Sequence, residues 1–268
     1  MGSIISITSN RGGVGKTTTT LNVGVSLAQQ GHRVLLIDAD PLSGLAAAGN
    51  LTRHPDQGIV QVLKNRIPLD KAIFSANRLS LSMMHLGVGE PSDIQFLENK
   101  VRKGLVGRLI RNAAEEYQYI LIDTPEGHGR FTSILLGYSN SCLMVMPCKS
   151  VAIKTLPLFL KQLLRIRTIL NPDLRFLGII ITMFDSLNPL QSEIMTQTHL
   201  LFPEQTFFST IIPQARSFEN ADMEGIPLCL YRRSKDIGDA YTRLAMELKM
   251  RDGKSQPLQE YEHPEKLF

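Results

Sequence analysis

The chain has 268 residues, 43% hydrophobic and 20% charged, which is enough apolar material for one or two buried cores and excludes disorder as its default state. Its 29 Lys+Arg against 25 Asp+Glu leave a formal charge of +4, an excess that allows a polyanionic partner without requiring one. No apolar run reaches the roughly 18 residues needed to cross a bilayer, and the opening stretch reads as a strand instead of a basic segment with a signal core, so a cytoplasmic, unexported protein is expected.

In chain order, Ile4–Thr8 reads as a first buried strand. Met1-Gly2-Ser3-Ile4-Ile5-Ser6 also fits the loose N-myristoylation pattern, but acylation would disturb that strand. A glycine-rich loop and a helix over Thr17–Gln30 follow, then a strand at Val34–Asp38, a long helix over Ser92–Tyr117 and a strand at Tyr119–Asp123. Further strands are expected at Cys142–Pro147, Phe176–Thr182 and Thr206–Ile212, with helices over Val151–Leu170, Leu190–Leu200 and Lys235–Met250. Unbroken runs such as Ile120-Leu121-Ile122 suit a sheet covered on both faces. The alternation therefore predicts an α/β fold, a doubly wound and mostly parallel sheet with helices on both sides. No low-complexity linker interrupts it, so residues 1–254 are expected to form one domain, with 255–268 a frayed acidic, proline-containing tail. Cys142, Cys148 and Cys229 are odd in number and lack metal-ligand spacing, so they read as small apolar side chains.

The chemistry gathers at three strand ends. After the first strand, Asn10-Arg11-Gly12-Gly13-Val14-Gly15-Lys16-Thr17 leads into a helix, the order that a phosphate-binding loop requires. Glycines let successive N–H groups of residues 12–15 turn inward around a phosphate, the helix beginning near Thr17 and Thr18 adds its positive end, and Lys16 supplies a point charge. Thr17 is placed to ligate Mg²⁺. Asn10 stands where the usual pattern has glycine, which marks a variant of the loop. Asp38-Ala39-Asp40-Pro41 ends the second strand and Asp123-Thr124-Pro125-Glu126-Gly127 another, each at a carboxyl end where ligands collect. Acids there also serve as caps and turn formers. Beside a phosphate loop they read as Mg²⁺-associated carboxylates, with Asp40 and Asp123 at the metal, Asp38 assisting from behind, and Asp40 orienting the attacking water.

Through Gly12-Gly13-Val14-Gly15-Lys16-Thr17-Thr18, Asp38-Ala39-Asp40-Pro41 and Ile122-Asp123-Thr124-Pro125, the chain resembles the ParA/MinD family of deviant-loop ATPases. Thr182-Met183-Phe184-Asp185 resembles that family's adenine-side segment, and Ile212-Pro213-Gln214 through Ala221, with Gly225-Ile226-Pro227, the stretch closing the base pocket. The resemblance implies ATP with Mg²⁺ as cofactors and a homodimer sandwiching two nucleotides in the ATP state. The family's loop begins with a lysine that reaches the partner's nucleotide, and here that position is Arg11. Either Arg11 acts across the dimer, its planar fork gripping phosphate oxygens, or another cation replaces it, Lys149 first and Lys154 next.

Partner surfaces are less sharply written. Residues 230–254 hold seven basic and four acidic side chains, and Arg216 falls where the ParA branch tends to place a DNA-facing arginine. With Arg232, Arg233 and Lys235 it would form a phosphate stripe doubled by dimerisation, against the plainer reading of a solvated face. Leu187 stands where many ParA relatives have another arginine. The expected function is ATP-driven positioning of a cargo, a plasmid, a chromosome region or a protein organelle such as the carboxysome. It would work through non-specific DNA, nucleoid association and an adaptor protein that stimulates weak hydrolysis. A MinD-like membrane ATPase would need a terminal amphipathic helix, which the acidic tail does not supply, so no membrane partner is expected. A reductase with a bridging iron–sulfur cluster would need two cysteines on separate loops. A non-catalytic nucleotide-binding scaffold is the remaining alternative. His128 is either a sensor of the terminal phosphate or a loop histidine with no role.

Overall fold

The structure, a computed structural model, describes residues 2–41, 44–48, 57–76, 79–127 and 129–253. Strand β1 (Ser3–Thr8) feeds through the glycine loop into α1 (Lys16–Gln29) and then β2 (Val34–Asp38). Short helices α2 (Gly44–Ala48) and α3 (Ile59–Leu63) precede strands β3 (Phe74–Ser75) and β4 (Leu81–His85) and helices α4 (Pro91–Arg102) and α5 (Leu105–Ala113). Next come β5 (Tyr119–Asp123), α6 (Arg130–Tyr138), β6 (Ser141–Pro147), α7 (Ser150–Ile169), β7 (Arg175–Thr182), α8 (Pro189–Leu201), α9 (Ser217–Glu224) and α10 (Lys235–Gly253).

The seven strands form one sheet in the order β3-β4-β2-β5-β1-β6-β7, parallel except for the short β3 against β4. Side chains alternate across it, Ile5 and Ile7 joining α1 and α10 on one face, and Ile4, Leu35 and Ile37 joining α3, α4 and α5 on the other. The second face continues under α7 and α8 with Met144, Met146, Ile179 and Ile181. Both faces are covered, which is why the strands carry no polar stripe.

The topology sets the site. From β1 the chain moves toward β2, and β5 later slots between them while β6 pairs with the other edge of β1. That reversal leaves a crevice at the carboxyl ends, where ligands of open α/β sheets bind. Register then aligns the carboxylates: Asp38 is the pair partner of Asp123, and Ile7 sits beside Asp123 from the other side.

Two expectations are corrected, and one strand is added. The helix foreseen over Ser92–Tyr117 is two helices, because Gly104 takes φ +74°, a left-handed conformation that ends α4 and starts α5. The run Thr206–Ile212 is not a strand. It meets β7 through an isolated bridge of Phe207 with Ile179, with Phe208 N–H donating to Ile179 O and Ile212 N–H to Ile181 O, while the N–H groups of Ser209 and Thr210 donate to the Glu247 carboxylate. Strand β4 was not foreseen, since Leu-Ser-Met-Met-His holds no β-branched residue and shows no clear period. The tail 255–268 and His128 lie outside the described residues.

Candidate functional site

The loop leaving β1 turns through Gly13 (φ +68°) and Gly15 (φ +84°), and a methyl group added at either would meet nothing within 4 Å. Its inner side is therefore an open cradle. No side chain caps α1, so its first N–H groups face that cradle as anion donors, with Val14, Thr17 and Thr18 completing the turn. Thr182 Oγ1 donates to Val14 O at 2.8 Å, fastening the loop to β7.

Behind the cradle lies a buried charge network. Lys16 Nζ meets Asp123 Oδ1 at 3.0 Å, with the two side chains 8% and 0% exposed. Thr17 Oγ1 donates to Asp123 Oδ2 at 2.6 Å, and Thr20, not foreseen from the sequence, reaches Oδ1 at 3.3 Å. Burial pushes the Asp123 carboxyl up, and Lys16 and Thr17 pull it only part of the way back. Asp38 accepts the N–H groups of Asp40 (3.3 Å) and Leu45 (3.1 Å). It is pushed up to about 7, first by burial and then by the neighbouring Asp123 charge. Asp40 is half-buried, and its charge lies near enough to Asp38 and Asp123 to push both carboxyls up. Two crowded carboxylates beside a hydroxyl are a hard oxygen donor set short of positive charge, which fits Mg²⁺. Among the described residues no three His, Cys, Asp or Glu side chains cluster for a metal, so such an ion would take most of its shell from phosphate and water.

A cleft of about 510 Å³ opens beside Gly15 and Thr18. Its walls are Met183 and Asp185 after β7, and Ile212, Pro213 and Gln214 on the extended segment. Phe184 N–H donates to Ile212 O and Gln214 N–H to Phe184 O, which stitches the two walls together. Phe218, Glu219 and Tyr241, from α9 and α10, also line it, and no local pattern marks them. Arg216 is exposed on the same cleft, at the start of α9.

Arg11 and Lys149 are both exposed, Arg11 in the loop and Lys149 at the start of α7. Asn10 points away, its amide donating to Thr155 O and Oγ1 at 3.3 and 3.4 Å. Arg232 and Lys235 are exposed, whereas Arg233 is paired with Glu224 at 3.3 Å, and Leu187 is 90% exposed. Cys142 is wholly buried in β6 and Cys148 buried beside it, which suits packing and not a shared cluster.

A glycine cradle at a helix start, a buried lysine–aspartate–threonine network and a base-sized cleft, on a parallel sheet with this strand order, define the P-loop nucleoside-triphosphatase class. The family profile AAA_31, described as an AAA domain, matches residues 2–176. Sporulation initiation inhibitor protein Soj of Bacillus subtilis is 30% identical over 251 residues, 92% of this chain and 98% of the relative. Chromosome partitioning protein ParA of Myxococcus xanthus is 29% identical over 262 residues, 96% of this chain and 91% of the relative. In fold, the ATP complex of a Cyanothece McdA variant superposes with a TM-score of 0.78 at 18% identity, covering 96% of this chain and 99% of that one. The chain belongs to the ParA/MinD family of P-loop ATPases, among relatives that include a chromosome-partitioning ATPase Soj of Treponema pallidum, 28% identical over 94% of this chain and 99% of the relative.

Proposed function

We propose that the chain is an ATP-driven positioning switch, in which ATP joins two copies, the dimer binds DNA without sequence preference, and an adaptor protein triggers weak hydrolysis and release. The observation that carries this reading is the Lys16–Asp123–Thr17 network behind the glycine cradle, with the cleft opening beside Gly15 and Thr18. Lys16, released from Asp123, balances the charge of the phosphates, and the N–H groups of residues 12–17 hold their oxygens. Asp40, half-buried beside Asp38, orients the attacking water, and Asp38 holds the Asp40 backbone. Thr17, Asp40 and Asp123 would hold Mg²⁺, which when bound neutralises charge on the transferring group. Arg11 reaches across the dimer to the partner's nucleotide, and Lys149 is the alternative. ATP bound by the related McdA variant supports the nucleotide, and the ParA and Soj names support a partition-type cargo, a plasmid, a chromosome region or an organelle.

Arg232 and Lys235, exposed on one stretch of chain, form the core of the proposed DNA face, to which the exposed Arg216 and Arg233 add charge. The test is binding of random-sequence duplex with ATP, with ADP and with no nucleotide, across a salt series. Tight, strongly salt-dependent binding with ATP alone is expected, and Arg232→Glu with Lys235→Glu should weaken it and flatten the slope by about 0.9 for each phosphate no longer neutralised. Equal binding in all three nucleotide states would reject the reading. Arg216 is left out of that pair because it also lines the base cleft.

A further inference from the structure

The cleft gives the cradle a direction. Gly15 and Thr18 line it, so a nucleotide with its base there runs its phosphates past Lys16 and Thr17 toward the opening residues of the loop. Gly12 stands at that far end, on the side a third phosphate extends toward. It is also where the chain places a carboxylate of its own: a methyl group built on Gly12 would come within 2.0 Å of Glu126 Oε2. Glu126 belongs to the segment that follows Asp123, the last residue of β5, which grips Lys16 and Thr17. Backbone bonds tie that segment to the end of β1, Gly127 N–H donating to Ser9 O at 3.1 Å and Thr124 N–H to Ile7 O at 3.2 Å. Thr132 Oγ1 donates to Pro125 O at 3.5 Å. Glu126 itself is exposed, so its side chain has a path into water while its neighbours stay tied.

We propose that Glu126 is a specificity residue that charges an electrostatic toll on the third phosphate, a proposal that rests on the ATP-site reading above. With a diphosphate the carboxylate keeps its place beside Gly12. A triphosphate brings negative charge to the same spot, and the carboxylate must swing into solvent before the terminal group settles. The barrier is electrostatic and local, so it tells three phosphates from two without touching the base. It also couples Asp123 to the terminal phosphate, since only Thr124 and Pro125 separate the two acids.

The experiment is calorimetric titration of the full chain with AMPPNP and with ADP, both with Mg²⁺, for wild type and a charge series at this position. Glu126→Gln should tighten AMPPNP about fivefold and Glu126→Lys further, while ADP stays within about twofold across the series. A packing role would not follow the sign of the charge. AMPPNP and ADP shifting together, or AMPPNP affinity indifferent to the series, overturns the proposal and leaves the ATP site standing. Binding of neither nucleotide by wild type overturns the ATP-site reading and the proposal with it.

Discussion

Asp38 carries the sharpest residue-scale prediction. It is wholly buried and shares a cross-strand register with Asp123, and burial together with that neighbour lifts its carboxyl from 3.8 to about 7. Between those values the folded chain keeps a proton that the unfolded chain has released, so on this account stability falls as pH rises from about 4 to about 7. The cost at pH 8 is on the order of 2–4 kcal/mol. His32, lowered by burial and by Lys249, works the other way below its ordinary range, so the quantity to read is a difference. Asp38→Asn should flatten the rise in unfolding free energy that nucleotide-free wild type shows on acidification from pH 8 to pH 5, measured by urea denaturation. Parallel pH curves for the two proteins would refute the assignment.

At the scale of elements, α10 is bolted to the segment that walls the base cleft. Glu247 takes Ser209 N–H at 2.8 Å, Ser209 Oγ at 2.9 Å and Thr210 N–H at 3.0 Å, and pairs with Arg251 at 3.0 Å. Arg251 in turn donates to the carbonyls of Leu177 and Gln205, both at 2.8 Å, and to Phe207 O. Burial pushes the Glu247 carboxyl up, but the Ser209 and Thr210 bonds outweigh it and hold the group below its ordinary range. Its stabilisation is therefore complete above about pH 5 and is lost on further acidification, a window below that of Asp38. Glu247→Gln, which cannot accept all of these bonds, should cost about 1–3 kcal/mol in chemical denaturation. It should also weaken nucleotide binding more than a remote substitution of equal cost, because Ile212 and Pro213 lie a few residues beyond the bolt. An unchanged midpoint would mean the clamp is decorative.

For the whole molecule the question is whether the terminal phosphate joins two chains. Lys16→Ala should abolish ATP-dependent dimerisation in analytical ultracentrifugation. Because it breaks a buried pair with Asp123, a circular-dichroism control must show the fold intact. Asp40→Ala should instead trap the ATP dimer with hydrolysis lost, since it removes the group proposed to orient water while leaving the cradle and Lys16 in place. Full ATPase activity in that variant would refute the role of Asp40, and dimers in the Lys16 variant would refute that of the cradle.

Much of this protein was written in local pattern: the glycine loop between strand and helix, the apolar strands, the acids at their carboxyl ends, and through these the family. Such features depend on neighbours within a turn or a strand, which periodicity and residue type express directly. Tertiary structure alone decided that β5 lies between β1 and β2, bringing Asp38 and Asp123 side by side and making both burial and repulsion act on one carboxyl. It decided that Thr206–Ile212 is no strand, since Glu247, some forty residues on, claims two of its N–H groups. It also assembled the cleft from the loop, β7, α9 and α10, put Arg216 on its rim, and laid Glu126 against Gly12. A backbone donor or a charge accepts any partner of suitable geometry, so which one it meets across the chain is settled by packing and is absent from the order of residues around it.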